Sequence, residues 1–370
     1  NEEKGITAVR VLFVGGPLIG HTFPMLPLAL HLHEAGHEVL LGSGDEVVTA
    51  LRDMLPVVTV ADPMSVRVPI QALALHPVAA RNALRGSADP EVAARVFISV
   101  NERMAARVIT AAQRFAPDLI VHEPFAAAAV IAADRLNVPA VLHNIGLDHG
   151  HEVNARLLGK LGMRHIFDTV DLSIAPPSIV QVPGWPMRYV PFSTPGPPLP
   201  AWLTDPPSRS RILVTRSTML GDNQPTFLKS VLRAAPHVDA EFVIVRPDSD
   251  IGRRRDLPGN IRTVGWTVLS DALRTCTAMI NHGGAGSVYA ALHAGLPQIL
   301  TPDTGDRGWN AALVDRRGAG ISVPPRRIDA DHITRLITDP QLATAAQEVA
   351  AEMAAMPSLE TITTRLLTLL

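Results

Sequence analysis

Along the first part of the chain, short runs of consecutive apolar residues alternate with longer stretches in which apolar positions recur every three or four residues. VRVLFVGG, ending at Gly16, predicts a buried strand, and the segment from Thr22 through Glu34 a helix. AGHEVLLGS predicts a turn and a second strand, and DEVVTALRDM a second helix. PDLIVHEP (Pro117 to Pro124) and VPAVLHNI predict further strands, with AAAAVIAADRLN as a helix between them. The region from about Met64 to Arg114 is less regular and mostly helical in pattern, a type of insertion that shapes ligand pockets above strand ends. Strands alternating with helices build βαβ units, and therefore a parallel sheet.

The pattern breaks between Ala175 and Ser208, where prolines crowd together (VPGWP, VPFSTPGPPLP, TDPPS) and predict an extended linker. Alternation then restarts: SRILVTRS, AEFVIVRP, IRTVGW, TAMINHGG and PQILTPD as strands, with helices over Gln224 to Ala235, DALRTC, AGSVYAALHAG and Asn310 to Arg317. The expected fold is α/β, with two Rossmann-like parallel-sheet domains facing each other across a cleft. The boundaries read as residues 8–190, a linker over 191–210, a second domain over 211–355 and a terminal helix over 356–370. PSLETITTRLLTLL starts at Ser358 with Glu360 close behind and places Ile362, Leu366 and Leu369 at helical spacing. That helix either closes the second domain or crosses back onto the first.

Length and composition agree with two well-buried domains: 370 residues, 47% apolar, 18% charged, net charge −2. No basic stripe is present to neutralise phosphates, which argues against a nucleic-acid partner. The single cysteine, Cys276, has no internal partner and suits a reducing cytoplasm. The longest apolar stretch, Pro124 to Ala133, is well short of the ~20 residues that span a bilayer. No membrane span or signal peptide is expected, and polar Asn1 to Thr7 reads as a disordered start. A homodimer is left open.

Two glycine-rich turns carry the candidate chemistry. GGPLIGHT, Gly15 to Thr22, fits the phosphate-loop pattern G-x-x-x-x-G-K-[ST] except that His21 replaces the lysine. The second, Asn281-His282-Gly283-Gly284-Ala285-Gly286-Ser287, runs from a buried strand straight into a helix. Glycines there let the backbone approach an anion, and the free amides and positive dipole end of the helix complete a phosphate site. His282 and the Ser287 hydroxyl add directed donors.

This second segment resembles the donor-binding signature of the inverting UDP-glycosyltransferase-like family with the GT-B fold, especially its bacterial antibiotic-tailoring branch. The family's H-G-G-x-G-[ST], A-L-x-x-G-[LV]-P-Q and P-x-x-x-D-Q-x-x-N-A appear here as His282 to Ser287, Ala291 to Gln298, and Pro302 through Asp306-Arg307 to Asn310-Ala311. The resemblance extends to the N-terminal G-H-T-x-P, the proline-rich linker and V-G-W. It implies that the diphosphate rests on His282, Gly284, Ala285, Gly286 and Ser287, and that Asp306 meets the sugar, with Arg307 in the place of the second sugar contact and either selecting the sugar or pointing elsewhere. It also implies that Trp266 and the backbone of Val268 hold the base, and that Thr218 contacts the diphosphate. Two departures stand out: Arg307 replaces a glutamine, bringing a fixed charge, and Ser217 replaces a loop glycine beside Arg216.

On the acceptor side the same resemblance makes His21 the catalytic base, oriented by Glu123 of VHEP where aspartate is commoner. Histidine suits that task because a neutral imidazole near its ordinary titration range takes a proton from an attacking hydroxyl, whereas a protonated lysine does not. His143 and His149, in the cluster HNIGLDHGH, are expected to line the acceptor pocket, with no metal-ligand spacing among the histidines. The implied activity is metal-independent inverting transfer of a 6-deoxy sugar from a dTDP co-substrate to a polyketide-type or other lipophilic acceptor, with no cofactor. A nucleotide hydrolase is disfavoured by the missing lysine, and a nicotinamide oxidoreductase by the lack of G-x-G-x-x-G after the first strand. A catalytically silent nucleotide-sugar binder has no need of His21.

Overall fold

The computed structural model describes residues 8–64, 81, 86–163, 170–216, 224–246, 251, 256–302 and 304–370. In the first half the elements run β1 (Arg10–Val14), α1 (Ile19–Thr22), α2 (Leu26–Glu34), β2 (Glu38–Gly44), α3 (Asp45–Leu51) and β3 (Val57–Ala61). They continue with α4 (Pro90–Phe115), β4 (Leu119–His122), α5 (Ala128–Leu136), β5 (Ala140–His143), α6 (Gly150–Lys160), β6 (Val170–Ser173) and β7 (Trp185–Pro186). The second half contains α7 (Ala201–Thr204), β8 (Arg211–Val214), α8 (Gln224–Ala234), β9 (Glu241–Val245), β10 (Ile261–Val264) and α9 (Leu269–Leu273). It ends with β11 (Ala278–Asn281), α10 (Ala285–His293), β12 (Gln298–Leu300), α11 (Arg307–Arg317), β13 (Gly320–Ser322), α12 (Ala330–Thr338), α13 (Pro340–Ala355) and α14 (Leu359–Leu367).

Among the described residues two sheets form, with strand orders β3-β2-β1-β4-β5-β6-β7 and β10-β9-β8-β11-β12-β13. Neighbouring strands are parallel, as in the pairings Phe13 with Leu41 and Val121, and Leu213 with Val243 and Met279. Alternation explains the layering: Leu12 and Val14 face a core formed with α4 and α5, while Val11 and Phe13 face α2 on the other side. The six strands of the second sheet repeat the connectivity of the first six of the first sheet. In each, the order reverses between the first and fourth strands, β1/β4 and β8/β11. Parallel sheets bind ligands at the carboxyl ends of the strands beside such a reversal.

Three details sharpen the expected pattern. The region anticipated as mostly helical contains one 26-residue helix, α4, capped by the Asp89 side chain accepting from Glu91 N and ended by Ala116 at φ 49°. The proline-rich run is not all linker, because Trp185–Pro186 pairs with β6 as an edge strand, where a residue lacking N–H is tolerated. Finally, α14 crosses back: Ser358 Oγ accepts from Thr361 N at its start, and Ile362 and Leu366 join the core containing Leu26 and Leu32 of α2. That core also holds Tyr289, Val314 and Met353, so one apolar interior passes through both halves. Among the described residues no helix is long and apolar enough to cross a membrane.

Candidate active site

The turn after β1 is built by side chains behind it. Ser43 Oγ donates to Gly16 O at 2.7 Å and Thr22 Oγ1 to the same carbonyl at 3.3 Å, while Gly15 N donates to Gly42 O. This presents His21 at the carboxyl end of the first sheet. Glu123 follows β4, on the other side of the strand-order reversal, and is fully buried. Gly16 N donates to its Oε1 at 3.0 Å and Phe125 N to its Oε2 at 2.8 Å, so two backbone amides hold the carboxylate in place. His21 Nδ1 lies 3.6 Å from Glu123 Oε1, within ion-pair range but longer than a hydrogen bond. The ring packs against Phe125 and Phe97 at centroid distances of 4.7 and 5.3 Å, leaving the side chain 19% exposed.

The second turn sits at the reversal of the second sheet. Gly283 adopts φ +79°, and Gly284 caps α10, so the amides of the first helical turn point outward from the strand ends. A Cβ at Gly284 would collide with His282 Nε2, so the imidazole lies directly across the turn. Ala285 is half-buried, Gly286 is exposed, and buried Ser287 accepts from Thr215 Oγ1 at 3.4 Å. Asp306 caps α11, which begins at Arg307 rather than at Asn310 as its periodicity suggested. Arg307 is buried, and its carbonyl lies against the Gly283 turn. Trp266 is 42% exposed and so is not a core plug; the Arg246 guanidinium stands 5.0 Å from its ring. Val268 caps the adjacent α9. Thr218 lies outside the described residues.

The two ends face each other and are joined. Tyr289 Oη donates to Gly146 O at 3.1 Å, Trp309 Nε1 to Leu147 O at 2.9 Å, and Trp309 N to Gly86 O at 2.8 Å. His149 packs edge-on near Trp309 at 6.1 Å, at the junction between the halves. His143 needs correction: it is wholly buried at the end of β5, its Nδ1 paired with Asn144 O at 3.0 Å, so it is a core residue and not pocket lining. Burial drives its pKa down to about 4. An open hollow of about 830 Å³ lined by Arg209, His237, Asp239 and Asn260 lies at the amino ends of the second sheet's strands, the wrong end for a ligand. Among the described residues no three His, Cys, Asp or Glu side chains gather to hold a metal ion.

Comparison with known proteins agrees with this geometry. Residues 30–217 match the N-terminal domain, and residues 229–369 the C-terminal domain, of the erythromycin biosynthesis protein CIII-like family. The elloramycin glycosyltransferase ElmGT of Streptomyces olivaceus is 34% identical, with 97% of each chain covered. The chain belongs to the erythromycin biosynthesis protein CIII-like family and is a glycosyltransferase. Among solved structures, the glycosyltransferase SnogD from Streptomyces nogalater aligns with TM-score 0.79 and 29% identity, over 98% of this chain and 100% of that one. The spinosyn rhamnosyltransferase SpnG, complexed with thymidine diphosphate, aligns with TM-score 0.81 and 25% identity, over 96% and 99%. The two facing sheets are therefore a GT-B arrangement.

In this glycosyltransferase the sequence alone did not point to the side chains that hold the glycine turn before α10. Asn281 Oδ1 accepts from Gly283 N at 2.8 Å, while its amide donates to Gln298 Oε1 at 2.8 Å. Asn310 Nδ2 donates to Gly283 O at 3.0 Å and to Asp306 Oδ2 at 2.9 Å, tying the turn to the cap of α11. All three are fully buried. Their signal was present as polar residues interrupting apolar strand and helix runs, since buried side-chain amides are usually kept for the hydrogen bonds they make.

Proposed function

We propose that this glycosyltransferase transfers a 6-deoxyhexose, with inversion, from a dTDP sugar to a polyketide-type or other lipophilic acceptor in the cytoplasm, without a metal ion or further cofactor. The observation that carries the reading is the pair of strand-order reversals. One places His21 beside Glu123, the other holds the outward-facing amides of α10, and the halves between them are hydrogen-bonded through Tyr289 and Trp309. The relatives support the substrate classes: ElmGT is an elloramycin glycosyltransferase, and SpnG is a rhamnosyltransferase whose structure contains thymidine diphosphate.

In this mechanism Nδ1–H of neutral His21 is directed at Glu123, leaving Nε2 to receive the acceptor's proton. As the acceptor's nucleophilic atom bonds to the anomeric carbon, the bond from that carbon to the diphosphate oxygen breaks on the opposite face. The departing electron pair settles on the diphosphate. Its charge meets the free amides and positive end of α10, with His282 as an additional donor. Glu123, held by two amides, stabilises the imidazolium as it forms. Trp266 offers its exposed face to the base.

Two substitutions test the division of labour. His21→Ala is expected to lower turnover at least ~10²-fold, the lower range for general-base catalysis, with dTDP affinity within about twofold of wild type. His282→Ala is expected to weaken dTDP at least about tenfold by calorimetry, the loss of a charge-assisted bond. Near-normal turnover in the first variant sinks the base; unchanged dTDP affinity in the second sinks the phosphate site.

A further inference from the structure

The loop Asn144–His149, between β5 and α6, is gripped at two consecutive carbonyls by the opposite half of the molecule. Gly146 O accepts from Tyr289 of α10 and Leu147 O from Trp309 of α11, and these are the helices whose N-terminal ends carry the phosphate turn and Asp306. Asp148 comes next in the chain, followed by His149 near the Trp309 ring. Its own backbone is pinned, since Asn144 Nδ2 donates to Asp148 O at 2.9 Å. Its carboxylate folds back over Gly146, where a Cβ would lie only 2.9 Å from Oδ1. Asp148 thus stands where the two halves meet, within the electrostatic reach of His21 and Glu123 on its own side and of Asp306 on the other. Burial, followed by the negative charge of Asp306, pushes its carboxyl up to about 6. No step of the transfer described above uses it.

We propose that Asp148 is a specificity residue that contacts the transferred sugar, its carboxylate accepting from a hydrogen-bond-donating substituent on the side facing away from the diphosphate. The assignment rests on the donor-site reading under Proposed function. The physical argument is positional. A sugar whose anomeric carbon lies within reach of an acceptor on His21, and whose diphosphate lies on α10, has to occupy the space bordered by Asp306 and Asp148. A carboxylate held at such a place by backbone and cross-domain contacts is ready to accept a bond without first being ordered. Tyr289 and Trp309 act as positioning residues, setting the loop against the donor helices.

Calorimetry on the full chain tests this without an acceptor, using dTDP, dTDP-rhamnose and dTDP-daunosamine with wild type, Asp148→Ala and Asp148→Asn. The expected result is that Asp148→Ala leaves the Kd for dTDP within about twofold but raises that for at least one dTDP sugar about five- to tenfold, the range of one hydrogen bond. Asp148→Asn separates the sources of the bond. An amide oxygen still accepts from a hydroxyl and retains most of the affinity, but it cannot balance an ammonium and loses as much as alanine does. Unchanged affinity for both sugars in Asp148→Ala overturns the proposal, and so does an equal loss for dTDP itself, which marks a structural role. A wild-type protein that binds no dTDP overturns the donor-site reading and this assignment with it; wild-type binding with unaffected variants overturns this assignment alone.

Discussion

His282 can lie across the glycine turn before α10 only because residue 284 has no side chain. Gly284→Ala places a methyl on the imidazole nitrogen, and with Gly283 fixed at φ +79° the backbone has little freedom to move away. Donor affinity is expected to fall at least about tenfold while stability changes by no more than about 1–3 kcal/mol, the usual cost of overpacking. Calorimetry with dTDP and denaturant unfolding measure the two separately; dTDP affinity within about twofold of wild type would show that the His282 ring is not needed where it lies. The individual residues differ in how legible they were. His21 and His282 stand inside glycine-punctuated turns whose composition restricts what they can be. Asp148 stands in no motif, and its role depends on Tyr289 and Trp309, more than 140 positions away along the chain.

At the scale of elements, adjacent strands β4 and β5 both end in a fully buried histidine. Desolvation dominates in each case, lowering His122 and His143 from 6.5 to about 4, against the raising effect of the hydrogen bonds their Nδ1 atoms make to Glu123 O and Asn144 O. Between pH 6.5 and 4 the unfolded chain binds protons that the folded chain does not. Stability is therefore full above about 6.5 and is lost as pH falls through that window toward 4. The cost is on the order of 3 kcal/mol per histidine at its limit. Asp148 works in the opposite sense, because its raised pKa penalises folding above about 6 and the penalty is relieved by acid. Urea unfolding at pH 7.5 and pH 5 is expected to show a drop for wild type and a clearly smaller one for a His122→Phe/His143→Phe double variant, whatever its absolute stability. An identical drop in both proteins would place the acid sensitivity elsewhere. The strand pattern was readable because consecutive apolar residues mark a sheet covered on both faces. The position of a histidine within that sheet, buried or lining, was not readable, because it depends on which helices cover the strand ends.

Over the whole molecule, the two halves share more than a hinge. α14 belongs in sequence to the second half, yet Ile362 and Leu366 are buried with residues of α2 in the first. The segment leading into it is pinned as well, with Arg188 N donating to Pro357 O and Arg188 Nε to Met356 O. Leu366→Ala is expected to cost roughly 2–5 kcal/mol in denaturant unfolding, the range for a leucine deleted from a packed core. A cost below about 0.5 kcal/mol, the usual scale of a surface substitution, would show that the crossing helix is frayed.

The sequence by itself determined the class of this protein. Apolar runs of strand length alternating with helical periodicity, twice over, leave little choice but two parallel sheets, and glycine-rich turns at strand ends mark where ligands meet backbone. The tertiary structure alone decided which residues those turns face. It buried His143, exposed Trp266, carried α14 back to the first half and brought Asp148 within electrostatic reach of Asp306. The physical reason is one of range: periodicity and turn chemistry are written in neighbouring residues, whereas burial and the company of a charge depend on contacts made between segments far apart in the chain.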